Sequence, residues 1–144
     1  MQKEIYDLSG VLRKAGVMRK YAGCLSVKGN YRKKNQDRAC CLSSSKKGIL
    51  FAVGCVCDGI GSFAQSEIAA EMIRVRIERW FLGMEPLYPE NIDEESLIDD
   101  LDMTIRELNE LIWIYRKENG IDIGCTISLL VLLNEKYHVF HVGD

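Results

Sequence analysis

A short acidic turn at the end of an apolar run is the first feature of this 144-residue chain that could do chemistry. Residues 51–57, FAVGCVC, lead into Asp58-Gly59-Ile60-Gly61-Ser62. A carboxylate at the end of a buried strand suits a hard metal ion when glycines beside it let backbone oxygens approach. Asp-Gly is also a common turn, and this stretch alone leaves both readings open. A second stretch is Tyr31-Arg32-Lys33-Lys34-Asn35-Gln36-Asp37-Arg38. It reads either as a solvated basic loop or as a segment in which one arginine faces a phosphate and Asp37 faces a metal. Arginine suits phosphate because its planar fork donates two parallel hydrogen bonds.

The elements that must position these residues follow from apolar spacing. Residues 1–20 carry Ile5, Leu8, Val11 and Leu12, a weak amphipathic helix closing near Gly16. Residues 21–27 read as a short strand, 28–30 as a turn and 39–44 as another strand. Residues 49–57 are apolar on both faces, which predicts a strand inside a sheet covered on both sides. From 65 to 81 the pattern turns helical, with Ala69, Ile73, Ile77 and Phe81 recurring every four residues. Ile68, Met72 and Trp80 widen that stripe. A turn with Gly83, Pro86 and Pro89 follows, and Asn91 with Glu94 resembles a capping box. The next helix runs to about Asn119 on the stripe Leu97, Leu101, Ile105, Leu108, Ile112 and Tyr115, and Gly120 suits its C-terminus. The acidic residues at 93–100 crowd the first turns of that helix, where negative charge is favourable without a metal. Two β-rich runs, 124–133 and 136–142, meet at Asn134-Glu135 as a hairpin. Strands and helices are segregated rather than alternating, which predicts an α+β fold with antiparallel sheet.

Composition excludes several classes. At 47% hydrophobic and 28% charged residues, the chain is that of an ordinary globular domain. A net charge of −2 gives no reason to expect nucleic acid or an anionic membrane as partner. The longest apolar runs are too short to span a bilayer, and the charged N-terminus argues against a signal peptide. Cys24, Cys40, Cys41, Cys55, Cys57 and Cys125 form no CxxC pair. They read as reduced core residues of a cytoplasmic protein, with a metal or redox cluster as the minor alternative.

Three separated segments carry a family resemblance. They are residues 29–37, GNYRKKNQD; residues 51–61, FAVGCVCDGIG; and residues 124–144, GCTISLLVLLNEKYHVFHVGD. In order and spacing they resemble the metal-dependent serine/threonine protein phosphatases of type 2C, the PPM family. The resemblance runs from about Tyr21 to Asp144, which leaves residues 1–20 as an N-terminal extension and 21–144 as the N-terminal part of the phosphatase domain. It implies an antiparallel β-sandwich flanked by helices, with a two-metal Mn²⁺ or Mg²⁺ site between the sheets. By the same resemblance Asp37 and Asp58 are carboxylate ligands and Gly59 offers its backbone carbonyl. Arg32 holds the substrate phosphate, and Asp144 matches an aspartate that helps bind a further metal. Water activated by the metals would hydrolyse phosphoserine or phosphothreonine, with phosphorylated proteins and a serine/threonine kinase system as the implied partners in signalling.

The chain departs from the pattern at Gln36, which stands where most members have Glu. An amide lacks the carboxylate's charge but still hydrogen-bonds water held by a metal, without touching the metal itself. Two further aspartates of the family site belong to the second half of the domain, beyond Asp144. The sandwich is therefore expected to be incomplete, with metal bound weakly and little activity in this chain alone. A non-catalytic phosphoprotein-binding or regulatory module derived from the fold is the alternative. Self-association through exposed sheet edges is a third expectation.

Overall fold

A computed structural model describes residues 2–7, 23–31 and 33–143. The elements run β1 (Gln2–Asp7), β2 (Arg38–Lys46), β3 (Ile49–Cys57), α1 (Ser66–Met84), α2 (Glu94–Asn119), β4 (Ile127–Leu133) and β5 (Lys136–Val142). All strand pairs are antiparallel, in one sheet of order β1-β5-β4-β3-β2. The architecture is the expected α+β one, and the described residues supply one sheet and its helix layer.

Alternation along the strands decides what faces the helices. Register pairs Cys40 with Cys55, Val53 with Val131, and Leu129 with Phe140. These residues are buried, and they form one core with Ile73, Ile77, Leu97, Leu101 and Ile105 from the helices. Removing such apolar surface from water is the main force holding helices to sheet. At one end of this core Phe51 meets the rings of Phe81, Tyr88 and Trp80 at 4.6, 5.6 and 5.9 Å. Polar contacts fix the helices laterally. Trp80 Nε1 donates to Asp100 Oδ1 at 2.8 Å, joining α1 to α2. Glu94, in the first turn of α2, takes Lys136 and His138 of β5 at 3.1 Å each.

The turns follow backbone chemistry. β2 and β3 join through Lys47 and Gly48, with φ of 49° and 82°, the positive pair that a two-residue hairpin requires. Asn134 opens the β4–β5 turn at φ 55°, a conformation asparagine tolerates. α2 ends at Gly120 in the left-handed region, whose N–H returns to Arg116 O.

Four expectations are corrected. Over Gln2–Asp7 the chain is a strand on β5, not a helix: backbone pairing with an open sheet edge outweighs a weak amphipathic pattern. Residues 8–22 of the expected helix and strand lie outside the described residues. Residues 23–27 form no strand but an exposed segment, and among the described residues β2 is an edge strand paired with β3. The cap of α2 is Asp93, not Asn91; its side chain accepts from Ser96 N at 2.8 Å. Asp93 directly precedes the first helical residue, so its carboxylate satisfies a first-turn N–H that has no partner within the helix. Finally, β3 is covered by helices on one face. On the other, among the described residues, Val56 is 57% exposed.

Candidate metal site

The end of β3 builds half of the site. Past Cys57 the strand continues as a single antiparallel bridge between Gly59 and Cys125. Its two hydrogen bonds run from Thr126 N to Asp58 O at 2.9 Å and from Ile60 N to Gly124 O at 3.0 Å. This is the non-hydrogen-bonded type of pair, in which Gly59's own peptide groups point away from Cys125. Its N–H turns toward Asp37, lying 3.4 Å from Oδ1. Glycine is required here by space: a Cβ would stand 2.6 Å from Gln36 O and 2.7 Å from Gln36 Cβ. Ser66, buried at the start of α1, donates through Oγ to Ile60 O at 3.0 Å and ties the turn to the helix.

The other half is the exposed segment before β2, held by side chains rather than by a ladder. Asp37 N donates to Asn35 Oδ1 at 3.0 Å. Asp37 O accepts from Ser26 Oγ at 3.2 Å and from Arg38 Nη1 at 2.9 Å. Asn35 Nδ2 donates back to Ser26 Oγ at 2.8 Å. With its backbone satisfied in this way, Asp37 presents its carboxylate to the turn of Asp58 and Gly59. Gln36 Nε2 donates to Phe63 O at 2.7 Å, so this amide is anchored to the loop that follows Gly61.

Asp37, Asp58, Gly59, Gln36, Asn35, Lys34, Lys28 and Gly29 line one recess of about 100 Å³. Both aspartates are exposed and Gly59 is buried. A larger cavity of about 630 Å³ lies between the second half of α2 and β4, lined largely by apolar groups such as Ile112, Trp113 and Ile123. It brings no pair of carboxylates together, and chemistry decides for the smaller recess.

The donor set suits a hard divalent cation: two carboxylates and a backbone carbonyl turned out of the ladder, all oxygen. Among the described residues no third acidic, histidine or cysteine side chain joins them. Arg32 and Asp144 lie outside the described residues. The cysteines stand apart from this recess as free thiols; Cys40, Cys55 and Cys57 are buried, with Cys55 and Cys57 sulfurs 3.6 Å apart. These three are core residues as expected, whereas Cys24 is exposed and Cys41 and Cys125 are partly buried, because only alternate strand positions face the helices.

Sequence reasoning missed the scaffold of Asp37. Lys34 Nζ pairs with Glu67 at 2.9 Å and Arg38 Nε with Glu71 at 2.8 Å. Glu71 also takes Arg74, first, and with Arg38 this holds its carboxyl down at about 2, from an ordinary 4.5. The one available signal was the matched spacing of four residues in Lys34/Arg38 and in Glu67/Glu71.

Among the described residues no helix is long and apolar enough to cross a membrane. No curated protein and no solved structure matches the chain. A family model described as protein phosphatase 2C matches residues 31–144, which takes in the Asp37 segment, the Asp58 turn and the β4–β5 hairpin. On that match the chain belongs to the protein phosphatase 2C family.

Proposed function

We propose that this chain carries the metal-binding part of a serine/threonine protein phosphatase. Family membership supports the hydrolase class, and the family is generally metal-dependent. The observation that carries the reading is the meeting of Asp37 Oδ1 with the Gly59 N–H at 3.4 Å, which sets two carboxylates from distant segments around one recess.

Asp37, Asp58 and the Gly59 carbonyl would hold Mn²⁺ or Mg²⁺. The ion supplies Lewis acidity and charge neutralisation for hydrolysis of a phosphate ester. The chain's own residues do the rest. The Thr126 N–H fixes Asp58 by its backbone, and Asn35, Ser26 and Arg38 fix Asp37 in the same way. Gln36, anchored on Phe63, walls the recess, and its amide oxygen would accept a hydrogen bond from water held there. Arg32 is the phosphate-binding group in this reading, Lys28 adds positive charge at the rim, and Asp144 serves a further metal. Phosphorylated proteins made by a serine/threonine kinase are the proposed substrates. Six free cysteines support a reducing, cytoplasmic setting.

The test is hydrolysis of p-nitrophenyl phosphate by the purified chain with Mn²⁺, beside Asp58→Ala. A weak activity that needs both Mn²⁺ and Asp58 is the expected result. Equal rates in the variant, or in excess chelator, would contradict it. The two-carboxylate count among the described residues favours one second reading, a non-catalytic phosphoprotein-binding module. It predicts phosphopeptide binding that survives chelation, and binding lost with the metal would remove it.

A further inference from the structure

We infer that Glu71, on the exposed side of α1, is a positioning residue for Asp37, acting through the guanidinium of Arg38. The inference rests on the metal-site reading above and adds a residue to it.

Asp37 sits on an exposed segment with no ladder hydrogen bonds of its own, so something else must fix its carboxylate. Arg38 is placed to do so. Its Nη1 donates to Asn35 O at 3.1 Å and to Asp37 O at 2.9 Å, bracketing the residue that carries the ligand. Its Nε donates to Glu71 Oε2 at 2.8 Å. The planar fork makes all three bonds at once, which a lysine ammonium on a flexible stem would not do in the same geometry. Glu71 is itself held from the other side by Arg74, through Nε at 3.1 Å and Nη2 at 2.6 Å. One turn earlier on α1, Glu67 pairs with Lys34. Two carboxylates one helical turn apart thus meet two cations with the same spacing, and the segment 34–38 is laid along the helix. α1 is fixed in turn by the buried Ile73, Ile77 and Trp80, so the clamp transfers the rigidity of the core to an exposed ligand. Groups that orient a metal ligand from outside the coordination sphere commonly change affinity about 10–100-fold when removed.

The control is built into the same helix. Glu78 pairs with Arg74 at Nη1 but takes no bond from Arg38. Glu71→Gln and Glu78→Gln each remove one negative charge from one ion-pair network, and only the first touches the clamp.

Two readouts on the full chain decide the matter. The first is amide hydrogen exchange over residues 35–38, which needs no metal. Glu71→Gln should speed exchange of the Asp37 N–H at least several-fold, with Glu78→Gln matching the parent. The second is Mn²⁺ affinity by electron paramagnetic resonance, where Glu71→Gln should weaken binding about 10-fold and Glu78→Gln should not. Unchanged exchange in Glu71→Gln, or equal effects of the two variants, would overturn the inference. A parent chain that binds no Mn²⁺ but shows faster Asp37 exchange in Glu71→Gln alone would overturn the metal reading and leave the clamp standing. Melting temperatures of the two variants separate a local effect from general loss of fold.

Discussion

Asp58 and Asp37 line the same recess but are held there by opposite means. Asp58 directly follows β3, whose Val53, Cys55 and Cys57 are buried, and its backbone carbonyl accepts from Thr126 N across the bridge. Asp37 ends an exposed segment whose order comes from polar side chains: Asn35, Ser26 and Arg38, with Glu71 behind them. The first support is made by burial and is insensitive to salt and pH. The second is made by charge-assisted hydrogen bonds near water, where each is individually weak and screened. One carboxylate is therefore rigid by default and the other only as rigid as its clamp.

Substitutions can break this contrast at either end. The largest effect is expected at the shared foundation. Phe51→Ala removes the centre of the aromatic cluster under β3 and should cost about 3–5 kcal/mol, read by urea unfolding. Gly59→Ala strikes where the two halves meet. Its Cβ would collide with Gln36, for about 1–3 kcal/mol of stability, and it should push Asp37 away from Asp58 and reduce Mn²⁺ binding more than its stability loss explains. Asp93→Ala removes the α2 cap and should lower the melting temperature by less than Gly59→Ala does, whereas Asn91→Ala should leave it unchanged.

The smallest effect is electrostatic. Glu71's folded value lies near 2, below its ordinary 4.5, so its pairing contributes stability above pH 4.5 that is lost as pH falls toward 2. Acid unfolding of Glu71→Gln should therefore be shallower than that of the parent between these limits. The Glu71 side chain is 43% exposed and its pairing is screened by solvent, so the difference should stay under about 1 kcal/mol.

The same contrast explains what was legible in the sequence. The stripes of both helices declared themselves because burial writes a period into the chain, and residues 49–57 did so as a continuous apolar run. The Asp58 turn was legible because it adjoins such a run, and together with the segments 29–37 and 124–144 it pointed to the family. Expectation failed at Gln2–Asp7, where a sheet edge six elements along the chain decided the conformation, and at residues 23–27, which pair with no strand among the described residues. Arg38 and Glu71 were invisible for a related reason. A pair of opposite charges far apart in sequence carries no periodicity, and only the packing of α1 over β2 brings them together.

The most direct measurement is a Mn²⁺ titration of the full chain, followed by electron paramagnetic resonance, beside Asp37→Asn and Asp58→Asn. If the two carboxylates hold one cation, the parent binds Mn²⁺ and either substitution weakens it by at least tenfold. Binding that is the same in all three proteins would contradict the account.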